Sequence, residues 1–210
     1  MDFIGVPEKD FKFVDVIKSK NAHGKALCHA QVLASGVEVA LKTLMLESAE
    51  SESARAELEL IESLHSPHIV MHYGHYEHRN NLYIVMELLS WGSVQDMIDA
   101  LGHLDATSLR TALLSVASAL LICHSKNILH RNIKPSSMLV GAGGNIKLGS
   151  FGLSSQLAMQ SRLGLCAGDP PYLAPELVGG QRHVAASDIW ALGVSVCAMA
   201  SGQVRCCCRC

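Results

Sequence analysis

The chain has 210 residues, of which 49% are hydrophobic, and a formal net charge of -2. This length and apolar content suffice for one large domain or two small lobes with a packed core, and they exclude an intrinsically disordered chain. The nearly neutral charge leaves no basic surplus to bind a nucleic-acid backbone, so a nucleic-acid-binding protein is not expected.

Membrane insertion and secretion are not expected either. The longest apolar stretch, Ala112–Cys123, is interrupted by two serines and is shorter than the roughly 18 residues of a membrane span. Residues 1–10 carry charged side chains and lack the apolar centre of a secretory signal. We therefore expect a cytoplasmic protein without a membrane span.

The first part of the chain favours β-structure. Short segments rich in β-branched and aromatic residues alternate with Gly, Asn and charged turns, as is typical of strands. One stretch, Ser48–Leu64, instead has apolar residues at three- and four-residue steps and predicts a helix. The predicted strands are Phe11–Ile17, Ala26–Leu33, Val37–Leu44, Ile69–Tyr76 and Asn81–Leu88.

Beyond Gly92 the pattern becomes mainly helical. Helices are predicted at Ser93–Leu101, at Thr107–Ser125 and at Ser187–Ala200, the last so apolar on all sides that burial is expected. The apolar face of the middle helix consists of Leu109, Leu113, Val116, Leu120 and Cys123. Short strands are predicted around Ile128–Leu129, Ser137–Val140 and Asn145–Leu148, and a long loop at Ser150–Pro170.

These elements predict an α+β fold with two lobes. Residues 1–10 form an N-terminal extension and residues 11–87 a β-rich lobe with one helix. A hinge at 87–92 leads to a helical lobe at 93–203. Residues 204–210 form a cysteine-rich tail.

Seven short motifs follow one another along the chain. Each motif alone is a weak indication of a family, but their order and spacing together are a strong one. In this order they resemble the eukaryotic protein kinase domain, over residues 11–203, and the catalytic region is similar to NIMA-related serine/threonine kinases. The resemblance also implies that the helical lobe is truncated after its central helix. The motifs are Val39–Lys42, His65–Val70, Leu82–Glu87, His130–Pro135, Lys147–Gly152, Gly168–Glu176 and Ser187–Gly193.

The resemblance implies a set of ATP-binding residues. Lys42 matches the strand lysine that contacts the inner phosphates, and Glu57 matches the helix glutamate that pairs with it. Lys134 matches a lysine of the catalytic loop, and Gly24 matches one glycine of the phosphate-covering loop. The remaining members would form the adenine slot: Ala40, Met86, Glu87, Leu89 and Leu139.

The phosphate-covering loop departs from the family. Such a loop needs glycines so that backbone N–H groups can approach phosphates. Lys18 and Lys20 occupy the first two glycine positions, and Gly24 matches the third only with one inserted residue. We therefore expect ATP to bind weakly.

Three further departures remove the reacting groups. Asn132 stands at the position of the catalytic aspartate, and an amide cannot accept the substrate's proton at neutral pH. Ser137 and Ser150 replace the asparagine and the aspartate that hold the metal. Because Mg²⁺ prefers carboxylate and phosphate oxygens, these degenerate positions are not expected to bind it.

The altered positions lead to three hypotheses. The first is a pseudokinase, a binding or regulatory module that transfers phosphate poorly or not at all. The second is a weakly active serine/threonine kinase in which Asp169, paired with Lys134, replaces the missing negative charge. The third is a non-functional fragment.

The resemblance also implies an uncovered helix. Family members continue with further helices, which cover the helix Ser187–Ala200 and supply an arginine to Glu176. A protein partner is therefore expected to cover that helix.

Two other patterns are not interpreted as sites. The histidines between His65 and His78 are spaced by three and four residues, but a step of three alternates the faces of a strand, so no metal site is expected. The tail cysteines, Cys206–Cys210, have no second ligand cluster.

Overall fold

A computed structural model describes residues 10–18, 26–46, 51–151, 155–156 and 168–203. The chain divides into two compact units. The first contains residues up to Ser63 together with Val70–Leu88, and the second contains Leu64–Ile69 together with the residues from Leu89 onward. The first unit is a β-sheet with one helix and the second is mainly helical, so the predicted α+β class is confirmed.

The first unit is built on a five-stranded antiparallel sheet with the strand order β1-β2-β3-β5-β4. Four of its strands lie within a residue or two of the predicted segments. The fourth prediction is displaced, because the strand occupies His72–His78, whereas Ile69 forms an isolated bridge with Leu148 in the second unit. The strands are β1 (Phe11–Lys18), β2 (Ala26–Val32), β3 (Glu38–Met45), β4 (His72–His78) and β5 (Asn81–Glu87).

The two faces of this sheet differ. On one face, Val39 and Leu41 of β3 pack with Val85 of β5 in a buried cluster that also includes Ala30, Val32 and Tyr76. Each fully buried aliphatic side chain of this kind contributes about 1.5–3 kcal/mol. The alternate residues of β3 place Ala40 and Lys42 on the opposite face.

Helix α1 (Ser51–Ser63) covers that opposite face. It buries Ala54, Leu58 and Ile61, which recur at the three- and four-residue spacing that predicted the helix. Polar contacts also connect the helix to the sheet: Arg55 forms an ion pair with Glu77 at 3.1 Å, and Glu62 lies 3.0 Å from His75. The helix is therefore held by apolar packing and by polar contacts along its length.

A β-bulge in β4 changes which side chains share a face. His72 lies opposite Met86 and His75 lies opposite Ile84, with the register shift between His72 and Gly74. Met86 and Ile84 are two residues apart in β5 and therefore point the same way. His72 and His75 consequently lie on one face, so the expectation that their spacing alternates the faces is wrong at this position.

The second unit contains four helices among its described residues. Ser93 caps the first of them through a capping box, in which the Ser93 N–H donates to Asp96 Oδ2 at 2.7 Å. Asp105 caps the second by accepting the Ser108 N–H at 2.7 Å. The helices are α2 (Val94–Leu101), α3 (Ala106–Ser125), α4 (Pro175–Val178) and α5 (Ala185–Ser201).

Short strands carry the connecting segments of this unit. Strands β7 (Met138–Val140) and β8 (Ile146–Leu148) form a hairpin. Strand β6 (Ile128–Leu129) pairs with β9 (Ser155–Gln156). One-turn 3₁₀ helices lie at Pro135–Ser137 and Pro170–Tyr172. Most of the predicted loop Ser150–Pro170 lies outside the described residues.

The buried face of α3 differs in part from the prediction. Val116, Leu120 and Cys123 are buried as expected, but Ala112 and Ala119 complete the face, while Leu113 is 37% exposed. The small alanines allow α3 to lie close to its neighbours α5 and β8. In the part of the chain that is described, α3 alone is long and apolar enough to span a membrane, a property that core helices share.

Helix α5 is buried on one side only. Asp188, Leu192 and Met199 are almost inaccessible, whereas Ile189 is 53% and Trp190 is 40% exposed. The expectation of burial on all sides is therefore wrong, because one apolar stripe of the helix faces solvent.

Candidate nucleotide and catalytic site

The ion pair expected between Lys42 and Glu57 is present in the first unit. Lys42 Nζ donates to Glu57 Oε1, and the two side chains are 18% and 4% exposed. Lys42 lies in the middle of β3, paired with Leu27 and with Ile84 on either side. The helix carboxylate thus fixes a largely buried ammonium group on the α1 face of the sheet.

Two residues expected in the adenine slot lie beside that lysine. Ala40 is opposite Met86 in the register of β3 and β5, and Ala40 is two residues from Lys42. All three side chains therefore share one face. The N–H of Glu87, at the end of β5, donates to the carbonyl of Met71 at 2.9 Å.

The other residues expected at a nucleotide site belong to the second unit or lie outside the described residues. Leu139 lies in β7 opposite Lys147, and it is half-buried. Leu89 lies against Gly141, since its Cδ2 is 3.0 Å from where a Cβ of that glycine would be. Gly24 and Lys20 are outside the described residues, and Lys18 is the last residue of β1.

In the second unit, Asp188 of α5 holds the backbone of the catalytic loop as expected. Its Oδ1 accepts the Arg131 N–H at 2.8 Å and its Oδ2 accepts the His130 N–H at 3.0 Å. His124 Nε2 of α3 also lies 2.9 Å from Oδ2. Arg131 has a φ of 65°, in the left-handed region that non-glycine residues seldom adopt. The hydrogen bonds of Asp188 stabilise that conformation.

The electrostatics of this anchor favour an anionic Asp188 and a neutral His130. Burial alone would raise the pKa of Asp188, but the hydrogen bond from His124 and two backbone N–H donors together hold that pKa below its usual range. Burial lowers the pKa of His130, whose ring is inaccessible and whose Nε2 lies 2.8 Å from the Gly149 carbonyl.

The three altered positions lie in and around this loop. Asn132 is half-buried and follows Arg131. Ser137 is fully buried, and its hydroxyl donates to the carbonyl of Asn132 at 2.7 Å. Ser150 is exposed, with a φ of 64°, and Phe151 after it packs edge-on against the His130 ring at 4.9 Å. Each serine thus occupies a defined place in the loop without adding charge.

The expected pairing of Lys134 with Asp169 is also present. Lys134 Nζ lies 2.7 Å from Asp169 Oδ2, and the side chains are 25% and 41% exposed. A shallow cleft beside them is lined by Asn132, Tyr172 and Leu177, among others. The carboxylate of Asp169 and the side chain of Asn132 therefore line the same cleft.

These residues do not fit a magnesium ion. Mg²⁺ demands near-octahedral oxygen ligands and is usually bound through one or two carboxylates and substrate phosphates. Ser137 is buried with its hydroxyl bound to a main-chain carbonyl, and Ser150 has no charge. The carboxylate of Asp169 is engaged by Lys134.

Two contacts of the second unit were not predicted from the sequence. His124 contacts Asp188 from the last turn of α3. A histidine at the C-terminal end of a helix is electrostatically favourable, and this position was the signal that the sequence offered. Ser187 Oγ donates to Glu176 Oε1 at 2.6 Å, so this glutamate has a partner inside the second unit in place of the expected arginine. No sequence signal identified that serine.

The family model described as the protein kinase domain matches residues 24–208. The match includes Asn132, Ser137 and Ser150, and it includes the pairs Lys42–Glu57 and Lys134–Asp169.

Proposed function

Because the chain belongs to the protein kinase domain family, we propose that it is a pseudokinase, a kinase-like module that acts by binding and regulation. The observation that carries the proposal is the neutral set Asn132, Ser137 and Ser150 at the positions of the base and the metal ligands. A resemblance to NIMA-related kinases and a cytoplasmic location are part of the same proposal.

The loss of the base weakens phosphoryl transfer directly. General-base catalysis contributes about 10²–10⁴-fold to such reactions. The Asn132 amide can orient a substrate hydroxyl but cannot take its proton. A transferring enzyme would need another base within hydrogen-bond reach of that hydroxyl.

The loss of the metal ligands compounds this effect. Phosphoryl transfer depends on positioning and on neutralising charge at the phosphates, both of which the metal ions supply. Both serines are poor ligands, and neither can replace the other. We infer that ATP binds weakly if it binds at all, and that Mg²⁺ does not strengthen its binding.

The retained residues support a role for the fold itself. Asp188, His130 and Arg131 keep a buried hydrogen-bond network, and Lys42 keeps its pair with Glu57. None of these contacts requires a reacting group. A domain with this pattern presents an ordered surface to a protein partner.

The exposed stripe of α5 is the surface that we propose for that partner. Ile189 and Trp190 are large apolar side chains on adjacent positions of a rigid helix. Aromatic side chains of this kind commonly carry much of the energy of a protein interface.

A nucleotide titration tests the proposal. The melting temperature is measured with ATP, with and without Mg²⁺, for wild type, Lys42→Met and Asn132→Asp/Ser150→Asp. We expect a small or absent shift for wild type, unchanged by the metal, because ligand binding raises the melting temperature by mass action. The double variant restores two carboxylates at a half-buried and an exposed position, so it should gain a Mg²⁺-dependent shift.

A phosphotransfer assay on the same proteins completes the test. Labelled phosphate transfer by the wild type that disappears in Lys42→Met would overturn the proposal. The double variant shows whether the assay can detect transfer by this chain.

A weakly active serine/threonine kinase is the second candidate, favoured by the 2.7 Å contact between Lys134 and Asp169. In that case Asp169→Asn would remove the residual transfer, while the surface variant Asp105→Asn would retain it. Equal activities in the two variants would eliminate this mechanism.

A further inference from the structure

We propose that Glu62, His72 and His75 form a zinc-binding site between α1 and β4. One donor atom from each of the three side chains lies within 4.8 Å of the other two. All three residues belong to the first unit, and the site is independent of the phosphate-transfer positions. The proposal therefore goes beyond the pseudokinase function and does not depend on it.

The β-bulge creates the histidine pair. Without it, the three-residue step from His72 to His75 would direct the two rings to opposite faces of the sheet. The extra residue at the bulge places both rings on the α1 face, nearly parallel at 14° with centroids 6.3 Å apart. Bulges commonly re-aim side chains at functional positions.

The helix supplies the third ligand. Glu62 lies near the C-terminal end of α1, and its Oε1 is 3.0 Å from His75 Nδ1. Ligand bonds of about 2.0–2.1 Å in a tetrahedral zinc site separate neighbouring donor atoms by roughly 3.3 Å. The widest separation between donor atoms, at most 4.8 Å, would therefore have to shorten by at most about 1.5 Å, which side-chain rotations can provide.

The donor set selects the class of ion. Two imidazoles and one carboxylate match the ligands of zinc sites that leave a fourth position to water. Mg²⁺ and Ca²⁺ prefer sites composed of oxygen alone. The partial exposure of the glutamate, at 39%, and of His75, at 27%, gives an ion access from solvent.

A bound ion would connect α1 to the sheet more strongly than the present contact between Glu62 and His75. The same helix carries Glu57, the partner of Lys42, five positions before Glu62. Zinc would therefore restrain the helix end nearest to β4 and reduce its local opening, without contacting the Lys42 pair itself.

Zinc titration of the full chain tests the site, with His72→Gln, His75→Gln and Glu62→Gln as the test variants. His78→Gln, on the same strand but outside the cluster, is the matched control. We expect zinc at about 100 times its dissociation constant to raise the melting temperature of wild type and control by roughly 5–10 °C. Each test variant should lose at least about 10-fold in affinity, because even indirect partners of metal ligands are worth about 10–100-fold.

Two further readouts separate this site from others. Co²⁺ bound to imidazole and carboxylate gives visible bands without thiolate-to-cobalt charge transfer, whereas binding to the tail cysteines would add that charge transfer. Hydrogen exchange should slow in α1 and β4 of wild type on zinc addition, and not in Glu62→Gln, whose partly exposed position preserves the fold. The proposal would be refuted if zinc did not shift the melting temperature of wild type, or if all three test variants showed the same shift as wild type.

Discussion

Replacement of Asp188 by alanine should destabilise the second unit more than any surface substitution. The carboxylate is 2% exposed and accepts hydrogen bonds from two backbone N–H groups, of His130 and Arg131, besides its contact with His124. In the variant, these buried donors lose their acceptor.

The magnitude follows from those contacts. Each buried donor left without an acceptor costs about 1–3 kcal/mol. The loss of a paired, buried charge is typically worth about 3–5 kcal/mol in total. We take about 3–5 kcal/mol as the loss in unfolding free energy, which corresponds to roughly 6–20 °C in melting temperature for a chain of this size.

Urea unfolding followed by fluorescence and circular dichroism measures this loss. Asp99→Asn on the exposed side of α2 is the matched control and should change the unfolding free energy by less than about 0.5 kcal/mol. A cooperative transition in wild type would also argue against the non-functional fragment. If Asp188→Ala lost less than about 1 kcal/mol, the anchoring role of this residue would be refuted.

Two other measurements follow from the same structure. The free energy of unfolding should fall on acidification in two stages. Below about pH 6.5, His130 gains a proton in the unfolded chain but not in the fold, where burial lowers its pKa. Below about pH 4, the unfolded chain gains a further proton at Asp188, whose pKa is lower in the fold, and a urea midpoint that stayed constant from pH 7.5 to 5 would contradict this prediction. In a double-mutant cycle, Lys42→Met and Glu57→Gln should show a coupling energy of about 1–3 kcal/mol, since the pair is mostly buried; additive losses would show that the pair contributes nothing.

The sequence predicted most elements because local chemistry determines them. Alternating apolar residues specified β3 and β5, and Ser93 and Asp105 mark the helix starts that they cap. The fourth strand was misplaced because its boundary depends on partners, since Ile69 pairs with Leu148 from a distant segment. Long-range pairing leaves no local signal.

The order of the motifs along the chain predicted which residues of the candidate site would pair with each other. The pairs formed by Lys42 with Glu57 and by Lys134 with Asp169 were both expected and are present. The contact of His124 with Asp188 was missed because it joins two helices 64 positions apart. The histidine pair on β4 was misjudged because a bulge depends on the register with β5, which a single strand does not reveal.

The division between kept and altered residues follows their physical roles. Asp188 satisfies buried backbone groups, so its replacement would cost stability whether or not the protein is an enzyme. Ser150, by contrast, is exposed, and Ser137 satisfies one loop carbonyl with its own neutral hydroxyl. A chain released from the requirement to transfer phosphate could therefore change those positions and still keep its fold. The network around Asp188 is therefore a requirement of folding, whether or not this chain transfers phosphate.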